Sequence, residues 1–307
     1  MNFYCINTSK RNPTIFRLLA EACRHVGATC IEIKSELFDY TESTNSYDDS
    51  IVYRVASSRS ANSVELFLLA RAKRVTTFHA AMGDPLIVPR RYDGREMLMQ
   101  LHAAGFPVVS TIFGIPRDKQ LLQRAVDYLG GFPVVLRRID EERQNGQGVV
   151  RIDSFPSLFS IVDYVTREGT DNVLQQYIHT GATPHSLRSI VLGNKIIFTY
   201  KISSSDQHEF RSNARLLDRS KPKTYEQITL SRTEEQTLVQ AAQTLGFELA
   251  AIDFAFDEHK KLWIFEVNFP FNFKKIPLRF NVPVHEYIVD YLVAKHAAAT
   301  PRGHADK

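Results

Sequence analysis

Apolar residues near the start of the chain recur first with period two and then with the period of a helix. Residues 2 to 6 read as a strand. Residues 14 to 26 read as an amphipathic helix with Ile15, Leu18, Leu19, Ala22 and Val26 on one face, and residues 29 to 33 as a second strand. A third strand over residues 51 to 56 and a helix over residues 63 to 72 continue this β-α-β alternation. The pattern predicts a small parallel sheet in an N-terminal unit, residues 1 to 88. The breaker-rich stretch with Pro85, Pro89, Arg90, Arg91 and Gly94 marks its end.

Beyond that boundary residues 96 to 104 read as a helix, residues 106 to 113 as an apolar strand, and residues 118 to 129 as a helix closed by Gly130 and Gly131. FPVVLRRI and VVRI are strands flanking the polar segment DEERQNGQG, and residues 172 to 178 form another strand. A hairpin is expected around Gly193 and Asn194, and a helix over residues 233 to 245. Ser231 and Glu234 supply a capping box for that helix, and Gly246 its terminal glycine.

The stretch AAIDFAFDEHKKLWIFEVN, Ala250 to Asn268, has two β-rich arms around a polar centre, so it folds as an antiparallel hairpin. A symmetric turn between His259 and Lys260 sets Asp253 opposite Glu266, and the two-residue side-chain period puts Asn268 on the face of Glu266. Two carboxylates so placed repel each other, whereas a hard divalent ion wants oxygen ligands of this kind. Spacing alone leaves two readings open, a metal site and a solvated hairpin face.

Composition narrows the field. The 307 residues are 44% apolar, 23% charged and 11% aromatic, as in an ordinary soluble protein with a substantial core. The net charge of +4, from 38 basic and 34 acidic residues, is too small to imply nucleic acid and suits a polyanionic small ligand. Cys5, Cys23 and Cys30 form no Cys-x-x-Cys pair, so neither a disulfide framework nor a zinc site is suggested. No signal-length apolar core and no bilayer-length uncharged run occur, so the expected location is the cytoplasm, without a membrane partner. No Gly-x-Gly-x-x-Gly follows the first strand, which disfavours a dinucleotide site there.

Gly146 and Gly148 lie between two strands, where backbone N–H groups can close over phosphates, although most such glycines mark only a turn. Of Arg137 and Arg138 just before them, only one can face a site, because neighbouring strand residues point opposite ways. In HEFRSN, Arg211 and Asn213 share a face if the segment is extended.

Taken in order, PVVLRR, the NGQG loop, VLQQYI, SLRSIVLGNKI, EFRSN, GFELAAIDFAF and IFEVN resemble the ATP-grasp ligases, particularly the branch of ribosomal-protein S6 glutamate ligase. The resemblance covers most of residues 85 to 297. It implies an α+β fold in which two lobes, about 115 to 180 and 181 to 297, clamp ATP behind a small α/β domain. Residues 89 to 297 would form the ATP-grasp unit and residues 298 to 307 a tail. It further implies Mg²⁺, with Mn²⁺ as an alternative, held by Asp253, Glu266 and Asn268. Arg137 stands where the family has a phosphate-binding lysine, Gln176 and Tyr177 at the adenine hinge, and Ser186 near a ribose-binding acid. Arg188 and Arg211 match arginines that approach the substrate carboxylate or acyl phosphate, with Ser212 and Asn213 beside the ATP phosphates. The chain departs from the family at Gly94, beside Arg95, where a lysine is usual. It departs again at Gln176, where an acid is usual, and after Asn268, where EVN-x-S-P-G gives way to EVNFPFNF.

The implied activity is an ATP-dependent carboxylate-amine ligase that makes an amide or peptide bond through an acyl phosphate, with an amino acid or peptide as substrate. The departures keep two other readings in view, a nucleotide- or peptide-binding module without catalysis and an ATP-grasp phosphotransferase. The segment FPFNFKKIPLRF is expected to reshape the acceptor pocket, and a homo-oligomer is left open.

Overall fold

The computed structural model describes residues 1–8, 13–56, 58–78, 94–138, 148–166, 172–206, 209–212 and 223–299. Its first elements are β1 (Asn2–Asn7), α1 (Pro13–His25), β2 (Thr29–Lys34), β3 (Ile51–Arg54) and α2 (Arg59–Arg71). The strands form a parallel sheet in the order β2-β1-β3, as the alternation predicted. Alternate residues of β1 serve opposite faces. Phe3 and Cys5 meet Ile15, Leu19 and Cys23 of α1, while Tyr4 and Ile6 meet Ala61, Val64 and Leu68 of α2. A strand buried on both faces has to read as a continuous apolar run, which FYCI does. The expected boundary at residue 88 lies outside the described residues.

The next sheet is built from β4 (Thr111–Ile112), β5 (Val134–Arg138), β6 (Val149–Ile152) and β7 (Asn172–Gln176), in the antiparallel order β4-β7-β5-β6. Helices α4 (Lys119–Tyr128) and α5 (Phe155–Thr166) cover it through Leu122, Val126, Leu158 and Val162. One expectation fails here. Residues 106 to 113 do not form one strand, because Val108 bridges Ile264 while Thr111 and Ile112 pair with Gln175 and Leu174. The segment crosses between two sheets and gives each only a few ladder bonds.

The largest sheet contains β8 (His185–Leu192), β9 (Lys195–Ser204), β10 (Lys223–Gln227), β11 (Leu249–Phe256) and β12 (Leu262–Asn268), ordered β10-β9-β8-β11-β12. One face, with Leu187, Val191, Ile252, Phe254 and Val267, packs on α3 (Gly94–Ala103) and α6 (Arg232–Thr244). The capping box of Ser231 and Glu234 opens α6 as expected. The opposite face packs through Ile190, Tyr200 and Ala251 on α8 (Val284–Ala299), in one core with Phe3 and Leu19 of the first domain. Phe271 and Phe273, expected near an acceptor pocket, are buried in this core, and α7 (Lys275–Phe280) follows them. These two aromatics thus serve packing between domains. Among the described residues no helix is long and apolar enough to cross a membrane.

Candidate active site

The hairpin of β11 and β12 sets Asp253 opposite Glu266, the register read from the sequence. It reaches that register by an unexpected route. Phe254 pairs with Ile264, so Phe265 is an extra residue on β12. Such a bulge changes the phase of the side-chain alternation. Ile264 and Val267, three apart, both enter the core, while Glu266 and Asn268 stay half-exposed. Without the bulge the turn, bonded Lys260 N to Asp257 O, would put Asp253 opposite residue 265 and misalign the acids.

Arg188 on β8 is in register with Asp253 on β11 and meets it with two parallel bonds, Nε to Oδ1 at 2.6 Å and Nη2 to Oδ2 at 2.5 Å. Burial opposes the charge on Arg188, but Asp253 more than offsets it, so the guanidinium is held well above its ordinary range. Tyr200 of β9 pairs with Arg188 on its other side, and burial pushes the phenol up. From the neighbouring sheet Arg137 of β5 donates to Glu266 Oε2 at 3.1 Å. Asn268 Nδ2 donates to Asp253 Oδ2 at 3.2 Å, which leaves its carbonyl oxygen as an acceptor.

These groups suit a hard cation. Asp253 and Glu266 are partly open to solvent, with side-chain exposures of 22% and 35%, and each carboxylate keeps lone pairs beyond those its arginine uses. With the Asn268 carbonyl they form an oxygen-only donor set of the kind Mg²⁺ takes. Two carboxylates against two guanidiniums leave the cluster near neutrality.

The remaining sequence-predicted residues are placed less uniformly. Ser186 sits two residues before Arg188 on the same face of β8, and its hydroxyl accepts from Ser212 Oγ at 2.7 Å. Arg211 is held locally, with Nε and Nη2 donating to Glu209 at 2.8 and 2.7 Å. Gln176 closes β7 and its N–H donates to Ser110 O at 2.9 Å, tying the hinge to the crossing segment. The Tyr177 ring lies near Phe210, with centroids 6.4 Å apart, and carries the Arg151 guanidinium 4.9 Å from its centroid. Gly148 adopts a positive φ of 76°, which suits glycine. Gly146 and Asn213 lie outside the described residues, as do the side chains of Arg95 and Arg138.

Several partners were not read from the sequence. Tyr200 carries no local signal, because only strand register brings it to Arg188. Glu209 stands two residues before Arg211, so the string EFR did contain its partner. Arg54 of the first domain, whose guanidinium lies 5.4 Å from the centroid of the Phe269 ring, reaches the residue after Asn268 only through domain packing.

The arrangement of two sheets around paired acids and arginines has counterparts among known proteins. The model of the RimK-like ATP-grasp domain matches residues 96–292. The chain belongs to the RimK-like ATP-grasp family of ligase enzymes. A protein of Legionella pneumophila (strain Corby) named probable alpha-L-glutamate ligase is 26% identical over 215 residues, 70% of this chain and 67% of that one. Its namesake in Saccharophagus degradans is 26% identical over 257 residues, 79% of this chain and 80% of that one. Among solved structures, the ATP-grasp ligase PsnB complexed with minimal precursor aligns with a TM-score of 0.71 at 14% identity, over 95% of this chain and 99% of that one. A RimK domain ATP-grasp protein from Sphaerobacter thermophilus aligns at 0.65 with 18% identity, over 95% and 100%. The two structures share the ATP-grasp fold with this chain.

Proposed function

We propose that the protein joins a carboxylate of an amino acid or peptide to an amine, converting ATP to ADP and phosphate, with an acyl phosphate as the activated intermediate. The observation that carries this reading is the cluster of Asp253, Glu266 and Asn268 beside Arg188, closed from the other sheet by Arg137. A carboxylate is a poor electrophile, and phosphorylating it supplies a leaving group. Charge then builds on phosphoryl oxygens and on a tetrahedral carbon, where preorganised cations lower the barrier. The names of the curated relatives, and neighbours described with peptide precursors, Mg and ADP, agree with this chemistry.

In this reading Asp253, Glu266 and Asn268 hold Mg²⁺, which when bound with ATP neutralises phosphate charge. Arg137 orients the phosphates from the β5 side, with the Gly146 and Gly148 segment closing over them. Gln176 and Tyr177 meet the adenine, and Ser186 the ribose. Arg188, aligned by both oxygens of Asp253, faces the reacting carboxylate, and Arg211 with Ser212 and Asn213 approaches from the following segment. Glu209 competes for Arg211 in this structure, so substrate has to draw the guanidinium away from it.

The test is Mg²⁺-dependent ADP release across mixtures of amino acids and peptides, with the product mass read alongside. A product heavier than its acceptor by an amide-linked residue supports ligation. A stable phosphorylated product points to a phosphotransferase instead. If none of the acceptors and donors elicits ADP release, and Asp253→Asn leaves nucleotide binding unchanged, the ligase reading fails.

A further inference from the structure

The first domain gathers the three cysteines of the chain, which lie 18 and 7 residues apart in sequence, into one thiol cluster that the proposed chemistry does not use. Cys5 is on β1, Cys30 on the neighbouring edge strand β2, and Cys23 in the last turns of α1 over the same face. The sulfurs of Cys5 and Cys30 are 3.5 Å apart, and the Cys30 thiol also hydrogen-bonds Cys23. Cys5 and Cys23 are buried, whereas Cys30 is partly open. We infer that Cys30 is a site of oxidative modification by hydroperoxides and that Cys23 is the thiol that resolves it into a disulfide.

Exposure and hydrogen bonding single out Cys30. It alone of the three is within reach of solvent, and it is flanked by two S–H donors that can stabilise its thiolate. The bonds from Cys23 and then Cys5 lower its pKa to about 4 against the opposing effect of burial. Cys23 is pushed up by its bond with Cys30 and by burial, so it keeps its proton until a partner needs it.

Strand register decides which neighbour closes the bond. Cys30 pairs with Phe3 and Cys5 with Glu32, an offset of two residues along parallel strands. Strands ~4.8 Å apart with a rise of ~3.3 Å per residue put the Cα atoms of Cys5 and Cys30 roughly 8 Å apart, beyond the ~7 Å that a disulfide spans. Cys23 is not so constrained. Ala28 N donates to Cys23 O at 2.8 Å, so the chain turns back at Cys23 and enters β2 at Thr29, and the Cys23 thiol is hydrogen-bonded to that of Cys30.

The chemistry balances with a hydroperoxide as oxidant. The Cys30 thiolate attacks the terminal oxygen, the O–O bond breaks, and the alcohol leaves after taking a proton, which gives a sulfenic acid. Cys23 sulfur then attacks Cys30 sulfur, the S–S bond forms as S–O breaks, and the departing hydroxide takes the Cys23 proton as water. Two thiols are oxidised by two electrons, and the peroxide is reduced to alcohol and water.

The experiment treats the whole protein with hydrogen peroxide, then maps disulfides by mass spectrometry under non-reducing conditions. Wild type should lose about 2 Da, with the bond between the peptides carrying Cys23 and Cys30. Before oxidation, Cys30 should react with iodoacetamide at neutral pH at least ~10-fold faster than glutathione. Cys5→Ser should still form the bond, and Cys23→Ser should stop at a Cys30 sulfenic acid that dimedone traps. A bond between Cys5 and Cys30, no loss of mass, or a Cys30 thiol no faster than glutathione overturns the assignment. Wild-type mapping and alkylation decide it even if a serine variant does not fold.

Discussion

Arg137 on β5 donates to Glu266 on β12 at 3.1 Å, although 129 residues separate them, and this ion pair joins the middle sheet to the large sheet at the proposed site. Both side chains are about one-third exposed, at 31% and 35%. Water therefore screens the pair, and its contribution to stability is small, on the order of 0–1 kcal/mol. Arg137→Ala should leave the urea midpoint nearly unchanged while weakening Mg·ADP binding about tenfold in calorimetry, because a phosphate contact is lost. Arg137→Lys should recover part of that affinity. Unaltered affinity in Arg137→Ala would remove Arg137 from the nucleotide site.

Asp253 has a different standing, because its two oxygens fix the guanidinium of Arg188. Asp253→Asn keeps the shape and removes the charge. ADP release should fall by about 10²–10³, the size of effect seen when one preorganised electrostatic group is removed. Arg188→Lys should fall similarly, since an ammonium cannot form the paired bonds. Retained turnover in either variant counts against the proposed roles.

The Arg54–Glu65 pair tests the first domain. The contact is 2.5 Å long, the side-chain exposures are 9% and 0%, and Thr77 donates to the other Glu65 oxygen at 3.2 Å. Glu65→Ala strands a buried guanidinium and should cost about 3–5 kcal/mol in chemical denaturation. A loss below 1 kcal/mol would mean that Arg54 finds water or another acceptor.

His285 at the start of α8 is buried with Nδ1 unpartnered, and burial lowers its pKa below the ordinary value. The unfolded chain then binds a proton that the folded one resists. Stability should be flat well above pH 6.5 and fall as pH drops through the ordinary histidine range toward 5. Denaturant midpoints for His285→Gln should lose this slope. The same slope in the variant would assign it to other groups.

Phe273 is fully buried between the domains. Phe273→Ala should destabilise by about 3–5 kcal/mol. If the segment instead shaped an acceptor pocket, the main effect would be a changed acceptor preference at nearly constant stability.

The limits of the sequence are visible in particular elements. The first sheet was legible because parallel strands and amphipathic helices carry strong local periodicity, as α1 and β1 show. Residues 106 to 113 were not, since an apolar run reads alike whether it joins one sheet or crosses between two. The cysteines showed no spacing signal, because their meeting depends on α1 folding back over β1 and β2.

By itself the sequence determined the hairpin, its two acids and its amide, and an order of motifs that resembles one family. Period-two alternation is a local property, and it survives in the letters. Tertiary structure decided what those groups face. The bulge at Phe265 sets the phase that keeps Glu266 out of the core, β8 brings Arg188 to Asp253, and a second sheet brings Arg137 to Glu266. Register and sheet packing join residues 65 and 129 positions apart, and no local pattern encodes such distances.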